Sequence, residues 1–252
     1  MIAAILLAAG RGLRAGQGQN KVFSCLLGEP VLHWSLRCLA QEERIGEIVI
    51  MAAAAELEQC RIIAAPFAKV KAVLPGGNTR QRSVLAGLLA LSPQADMVLI
   101  HDGARPLLTH RDLTAVLDAA TPLCGAILAT PVKDTIKRAA GGLINTTLLR
   151  DELFAAQTPQ IFAREVLVEA SLRAESEDYQ ASDDAALVEY YGGSARLVLS
   201  QDENEKLTLP QDFIMAELIL KQRVKDEQQR RQGKLKLKPL EQSLPGRYLI
   251  KS

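Results

Sequence analysis

The chain has 252 residues, 48% of them apolar and 23% charged, with a formal net charge of +1. These values suit a water-soluble globular protein of one α/β domain with additions, and no apolar run approaches the ~20 residues that cross a bilayer. Four scattered cysteines without a Cys-x-x-Cys pair and three histidines without ligand spacing argue against a disulfide framework or a zinc site, and the N-terminus lacks the basic stretch of a signal peptide, so a cytoplasmic protein with free thiols is expected.

Ile2-Ala3-Ala4-Ile5-Leu6-Leu7 is a continuous apolar run of the kind that forms a strand buried on both faces. Ala8-Ala9-Gly10-Arg11-Gly12-Leu13-Arg14 follows, and Lys21 lies a little further on. Small residues let a backbone approach a ligand, glycine lets successive N–H groups converge on an anion, and Arg14 and Lys21 add full positive charge. The loop is not a dinucleotide fingerprint, because Ala15 stands at the third glycine position, and no Gly-Lys-Ser/Thr closes a P-loop. On its own it reads equally as a phosphate cradle or as a tight turn with solvated arginines.

Further strands are expected at residues 47–52, 70–74, 97–101, 125–130 and 195–199, with helices at 31–40, 55–64, 80–91, 111–122, 164–174 and 183–191. Such alternation argues for a largely parallel sheet covered by helices on both faces, with ligands beyond the carboxyl ends of the strands. Polar clusters fall at those ends. Pro75-Gly76-Gly77-Asn78-Thr79-Arg80-Gln81-Arg82-Ser83 leads into a helix and could read a base or ribose, or be a turn with a serine near the helix start. His101-Asp102-Gly103-Ala104-Arg105-Pro106 offers a carboxylate suited to Mg²⁺ on a phosphate chain and a guanidinium suited to a phosphate; a loop-shaping Asp–Arg pair is the alternative.

Residues 137–157 interrupt the alternation. Gly141-Gly142 suggests a turn between two extended runs, hence a protruding hairpin that a second copy of the chain could cover, or a surface loop. Asp183-Asp184 offers a cap and negative charge to the helix after it. Residues 221–252 hold ten basic and three acidic residues, a net +7 against −6 for the rest. They are expected to form a solvated tail beyond a body spanning residues 1–220.

Taken in order, Ala8-Ala9-Gly10-Arg11-Gly12-x-Arg14, Asn20-Lys21, Gly76-Gly77-x-x-Arg80-x-x-Ser83, His101-Asp102-x-Ala104-Arg105-Pro106, Pro131-x-x-Asp134-Thr135, Gln157-Thr158-Pro159-Gln160, Asp183-x-Ala185 and Asn204-x-Lys206-x-Thr208 resemble the 2-C-methyl-D-erythritol 4-phosphate cytidylyltransferase family over about residues 2–220. The resemblance implies a Rossmann-like nucleotidyltransferase fold with a β-arm (about 137–157) that forms a homodimer. It also implies transfer of a cytidylyl group from CTP to methylerythritol phosphate with Mg²⁺ on the triphosphate. By the same resemblance Arg14 and Lys21 are catalytic. Ala8, Ala9, Gly10, Arg11, Gly12, Gly77, Arg80, Ser83, Asp102 and Ala104 bind CTP, with Asp102 also at the metal. Arg105, Thr135, Arg150, Thr158, Ser182 and Lys206 bind the acceptor, Arg150 that of a neighbouring subunit.

Three positions depart from the family pattern: Leu7 where proline is common, Asn78 where a carboxylate is frequent, and Ala15 where methionine is usual. Ser182 stands where the family often has threonine. The tail does not show the start of the cyclodiphosphate synthase domain sometimes fused to the family. Two rival readings share the fold: a ribitol 5-phosphate (pentitol-phosphate) cytidylyltransferase and a non-catalytic nucleotide-binding regulator. No membrane or nucleic-acid partner is expected.

Overall fold

The structure, a computed structural model, describes residues 1–10 and 20–231. The first half runs β1 (Ile2–Leu7), β2 (Cys25–Leu26), β3 (Glu29–Pro30), α1 (Val31–Gln41), β4 (Ile45–Ala52), α2 (Leu57–Ala64), β5 (Val70–Pro75), α3 (Arg80–Ala90) and β6 (Met97–Asp102). The second runs α4 (His110–Ala119), β7 (Gly125–Pro131), β8 (Lys137–Ala140), β9 (Leu143–Thr147), β10 (Phe154–Ala163), α5 (Arg164–Ser176), α6 (Asp184–Tyr190), β11 (Ala195–Leu199) and α7 (Pro210–Arg231).

Seven strands form one sheet in the order β11-β7-β10-β6-β1-β4-β5. β1 lies between β4 and β6, parallel to both, and Ala3, Ala4, Ile5 and Leu6 are fully buried. Successive side chains serve opposite layers, as the strand's twofold period demands. Ala4 and Leu6 pack with Leu32, Leu36 and Leu113 of α1 and α4, while Ala3 and Ile5 pack with Val84, Leu88 and Leu167 of α3 and α5. The chain moves from β1 to β4 and β5 on one side, then returns to β6 on the other. The carboxyl ends of β1 and β6 therefore flank the switch point where open α/β sheets bind ligands.

The expected strands and helices up to residue 199 are all present, within a few residues of their predicted ends. β10 was not expected. It runs antiparallel between β6 and β7 in an otherwise parallel sheet. Its ladder with β7 jumps from Ala156↔Ala129 to Gln160↔Ile127, so three residues face one. This bulge holds Gln157, Thr158 and Pro159, the last after a cis bond. Bulges re-aim side chains, and here they turn Gln157 and Thr158 toward neighbouring segments. A proline and two glutamines hide the strand from pattern reading.

β8 and β9 form the expected hairpin, with Gly141 and Gly142 at φ +58 and +81, as a two-residue turn requires. Its strands are exposed throughout. The arm is shorter than expected at its distal limit: residues 154–157 already belong to β10 in the sheet. α7 runs through residue 220 and on to Arg231, and its Ala216 and Leu220 pack with Leu26, Trp34 and Leu207 in a third apolar cluster.

Gly125 starts β7 where a Cβ would overlap the Phe162 ring and approach the Ile161 carbonyl to 2.7 Å. Phe162 is fully buried and has nowhere to retreat. Gly125→Ala is expected to lower stability by about 1–3 kcal/mol, the usual cost of overpacking, read as a drop in the urea midpoint. An unchanged midpoint would mean that the ring yields freely.

Candidate active site

The carboxyl ends of β1, β4, β5 and β6 open onto a cavity of about 800 Å³. Volumes of this size suit a nucleotide-sized ligand. Asp102 ends β6 in register with Leu7 and forms the floor; among the described residues it is the one carboxylate lining the cavity. Three cations surround it: Lys206 Nζ at 2.7 Å, Arg80 Nε at 3.6 Å and Arg105 Nε at 3.8 Å. Burial alone would raise the Asp102 pKa, but Lys206, Arg80 and Arg105 together outweigh it and hold the carboxyl well below the usual range.

Behind Asp102 lies a fully buried polar chain. The Asp102 amide donates to Thr158 Oγ1 at 2.9 Å, and that hydroxyl lies 3.1 Å from His101 Nδ1. His101 Nε2 lies 3.3 Å from the Arg105 carbonyl. The pattern closes when Thr158 donates to Nδ1 and His101 donates from Nε2, which is neutral imidazole. Burial pushes the His101 pKa down to about 4, against the pull of Asp102.

The wall comes from the β5–α3 connection. A Cβ on Gly76 would sit 2.8 Å from Ser83 Oγ and 2.9 Å from the Ala9 Cβ, so only glycine allows these two loops to meet. Ser83 Oγ donates to the Thr79 carbonyl at 2.8 Å and accepts from Gly77 N at 3.0 Å. The helix cap is Thr79, whose hydroxyl accepts from Arg82 N, so Ser83 braces the glycine turn.

Asn20 governs the other wall. Its amide donates to the Ala8 carbonyl at 2.7 Å and to Glu56 at 2.8 Å, and its oxygen accepts from Val22 N, capping the 3₁₀ turn Lys21–Phe23. The chain after the basic loop is thereby pinned to the chain before it, and Lys21 is set at the cavity rim. Lys206 arrives from a distant segment. Asn204 donates to Gln157 Oε1 and the Thr158 carbonyl, Arg105 donates to the Asn204 carbonyl at 2.7 Å, and Leu207 N bonds the Ala104 carbonyl.

Of the residues singled out from sequence, Ala9, Gly10, Lys21, Gly77, Arg80, Ser83, Asp102, Ala104 and Lys206 line this cavity. Ala8 lies behind it, with its amide already given to the Met51 carbonyl. Arg105 sits below Asp102, largely buried, with no hydrogen-bond partner at Nε. Thr158 points inward. Thr135, Arg150 and Ser182 are exposed away from the cavity, Arg150 bonding the Lys133 carbonyl at the arm base. Arg11, Gly12, Arg14 and Ala15, like most of the basic tail (232–252), lie outside the described residues. Asn20, Asn204 and Asp184 were not singled out as site residues. The Asn–Lys step before the 3₁₀ turn was the readable signal for the first, since asparagine is a preferred cap.

A family model described as 2-C-methyl-D-erythritol 4-phosphate cytidylyltransferase matches residues 2–222. A protein of that name from Pelotomaculum thermopropionicum is 41% identical over 226 residues, covering 88% of this chain and 95% of the relative. One from Halalkalibacterium halodurans is 42% identical over 218 residues, covering 86% and 95%. Among solved structures, 4-diphosphocytidyl-2C-methyl-D-erythritol synthase from Anaerococcus prevotii superposes with a TM-score of 0.78 at 28% identity, covering 87% of this chain and 96% of that one.

His101 gives the site a pH signature. An unfolded chain protonates it near its ordinary value of 6.5, the folded one only near 4. Between those limits the unfolded state takes up a proton that the native state refuses, so stability should fall as pH drops from about 6.5 to about 4. Asp102, held low, weakens the fold only below the ordinary carboxylate range. Urea midpoints across this window should fall less steeply for His101→Gln than for the wild type, and equal slopes would contradict the neutral, buried imidazole.

Proposed function

The chain belongs to the 2-C-methyl-D-erythritol 4-phosphate cytidylyltransferase family, and from that premise we propose how its cavity performs the transfer. The enzyme joins CTP and methylerythritol phosphate to give 4-diphosphocytidyl-methylerythritol and pyrophosphate, a step of non-mevalonate isoprenoid synthesis. An acceptor phosphate oxygen forms a bond to the α-phosphorus of CTP as the bond to pyrophosphate breaks. No covalent enzyme intermediate is needed, so the protein contributes positioning and electrostatics. The observation that carries this reading is the carboxylate at the β1–β6 switch point, ringed by cations and walled by glycines.

The triphosphate lies along Ala9 and Gly10, its negative charge met by backbone amides there and by Lys21, with Arg14 assigned to the same charge by the family resemblance alone. Lys21, at the rim beside Gly10, stabilises the charge that gathers on the α-phosphorus. Gly77 and Ser83 hold the base and ribose edge, with Ala104 across the cavity and Arg80 below. The residues fit a divalent cation carried on the nucleotide: Mg²⁺ needs only one or two carboxylates beside phosphate oxygens, and Asp102 stays ionised. Bound there, the ion neutralises triphosphate charge. In this reading Lys206 and Arg105 meet the acceptor phosphate on the other side of Asp102, Thr135 and Ser182 contribute from outside the cavity, and Thr158 serves the floor from behind through its hydroxyl.

The exposed hairpin supports a homodimer. Leu143 and Ile144 are 76% and 65% exposed on an arm with little core of its own, and a second copy would cover them. Arg150 at the arm base would then reach the partner's acceptor site. The four free cysteines suit a cytoplasmic enzyme.

Purified protein with CTP and Mg²⁺ should release pyrophosphate with methylerythritol phosphate and release it more slowly with ribitol 5-phosphate. Faster release with ribitol 5-phosphate would reassign the acceptor, and CTP binding without release would leave only a binding module. Arg150→Ala should raise KM for the acceptor at least several-fold while leaving that for CTP in place. An unchanged acceptor KM would count against a shared site.

A further inference from the structure

Asp184 stands at the start of α6, fully buried, and none of the roles above uses it. A carboxylate in the first turn of a helix ordinarily serves the exposed N–H groups there. Here other groups fill that role. Asp183 Oδ1 accepts from Ala186 N at 2.8 Å, and Gln160 Oε1 accepts from Ala185 N at 3.0 Å. Gln160 in turn donates to Asp183 Oδ2 at 2.8 Å. Asp184 turns instead to Arg80, 104 residues earlier, whose Nη2 donates to its Oδ2 at 2.6 Å.

That bond shapes the cavity floor. Arg80 and Asp102 could form a two-pronged ion pair, the geometry a guanidinium and a carboxylate prefer. They do not. Arg80 Nε stays 3.6 Å from Asp102 Oδ1, beyond hydrogen-bond distance, while Lys206 takes Oδ2 at 2.7 Å. The charges alternate in a series that leads from buried Asp184 into the cavity: Asp184, Arg80, Asp102, Lys206. Burial pushes the Asp184 pKa up and the Arg80 guanidinium pulls it back, so Asp184 depends on that pairing to stay ionised.

We propose that Asp184 is a positioning residue that holds the Arg80 guanidinium off Asp102, leaving Asp102 Oδ1 open to the nucleotide and its cation. Without it, Arg80 closes on Asp102 and occupies both the oxygen and the space above it. The inference rests on the placement of CTP in this cavity.

CTP affinity of the full chain, measured with Mg²⁺ and no acceptor, tests the brace in a double-mutant cycle. Asp184→Asn should weaken CTP binding about tenfold, the scale for losing an outer partner of a binding group. In an Arg80→Ala background the same substitution should change affinity by less than about twofold, because its effect runs through Arg80. The acceptor KM should stay in place, whereas general loosening of α6 would move both substrates. Equal tenfold losses in both backgrounds, or no loss in either, would overturn the brace. Should Asp184→Asn fail to fold, Asp184→Glu serves: the carboxylate is kept but the guanidinium is displaced by one methylene, so CTP affinity should fall in the wild-type background and not in the Arg80→Ala background, and equal losses in both, or none in either, overturn the proposal. Failure of the wild type to bind CTP would overturn the cavity reading and the brace with it, while binding with additive effects removes the brace alone.

Discussion

A buried carboxylate among three cations is the constraint around which this molecule is arranged. Asp102 is nearly closed off from water, and a charge so placed destabilises a fold unless partners surround it. Those partners come from three separate stretches of chain: Arg80 from the start of α3, Arg105 from the turn after β6, and Lys206 from the segment before α7. Each needs its own support. Asp184 holds Arg80, the Asn204 carbonyl holds Arg105, and the Leu207–Ala104 bond delivers Lys206. The burial of one carboxylate thus ties both halves of the sheet, α6 and the approach to α7 into one assembly. Loss of any single cation would leave the others mismatched, which is why the site and the stability of the fold are coupled here.

Much of the architecture was legible because the parallel strands are buried on both faces and read as unbroken apolar runs. Ile2-Ala3-Ala4-Ile5-Leu6-Leu7 could hardly be anything else, and the helices between such runs carry one apolar face each. The Gly141-Gly142 pair disclosed the hairpin, since two successive positive φ values ask for glycine. β10 was illegible for the opposite reason. Its central residues, Gln157, Thr158 and Pro159, leave the ladder to serve Asn204, His101 and Asp102, so the strand carries the polar residues of a site. α7 was missed because its apolar contact is narrow, through Ala216 and Leu220, while charged residues crowd its outer half. Pro210 at its first position and Asp212 in its first turn were the signals available.

The candidate site divides along similar lines. Glycines and charged residues at strand ends, Gly77, Lys21 and Asp102 among them, could be placed because the sheet rule says where such ends converge. What the chain order does not contain is which cation meets which anion. Arg80 reads as a nucleotide ligand, yet in space it is shared between Asp184 and Asp102. Thr158 reads as a substrate contact, yet its hydroxyl supports the floor from behind. Such pairings are set by tertiary distances among residues from 22 (Arg80 and Asp102) to 104 (Arg80 and Asp184) positions apart, and local pattern carries no trace of them.

Transfer in this account follows from where charge is held, with no protein group making or breaking a covalent bond to substrate. Asp102 anchors the floor, the glycine wall brings backbone close, and the proposed role of the lysines lining the cavity, Lys21 and Lys206, is to meet the two phosphates that react. The claim is tested most directly by the turnover number of Lys21→Ala at saturating CTP and acceptor. A preorganised cation facing developing charge contributes about 3 kcal/mol, so kcat should fall at least about a hundredfold with the fold intact. Turnover close to that of the wild type would contradict it.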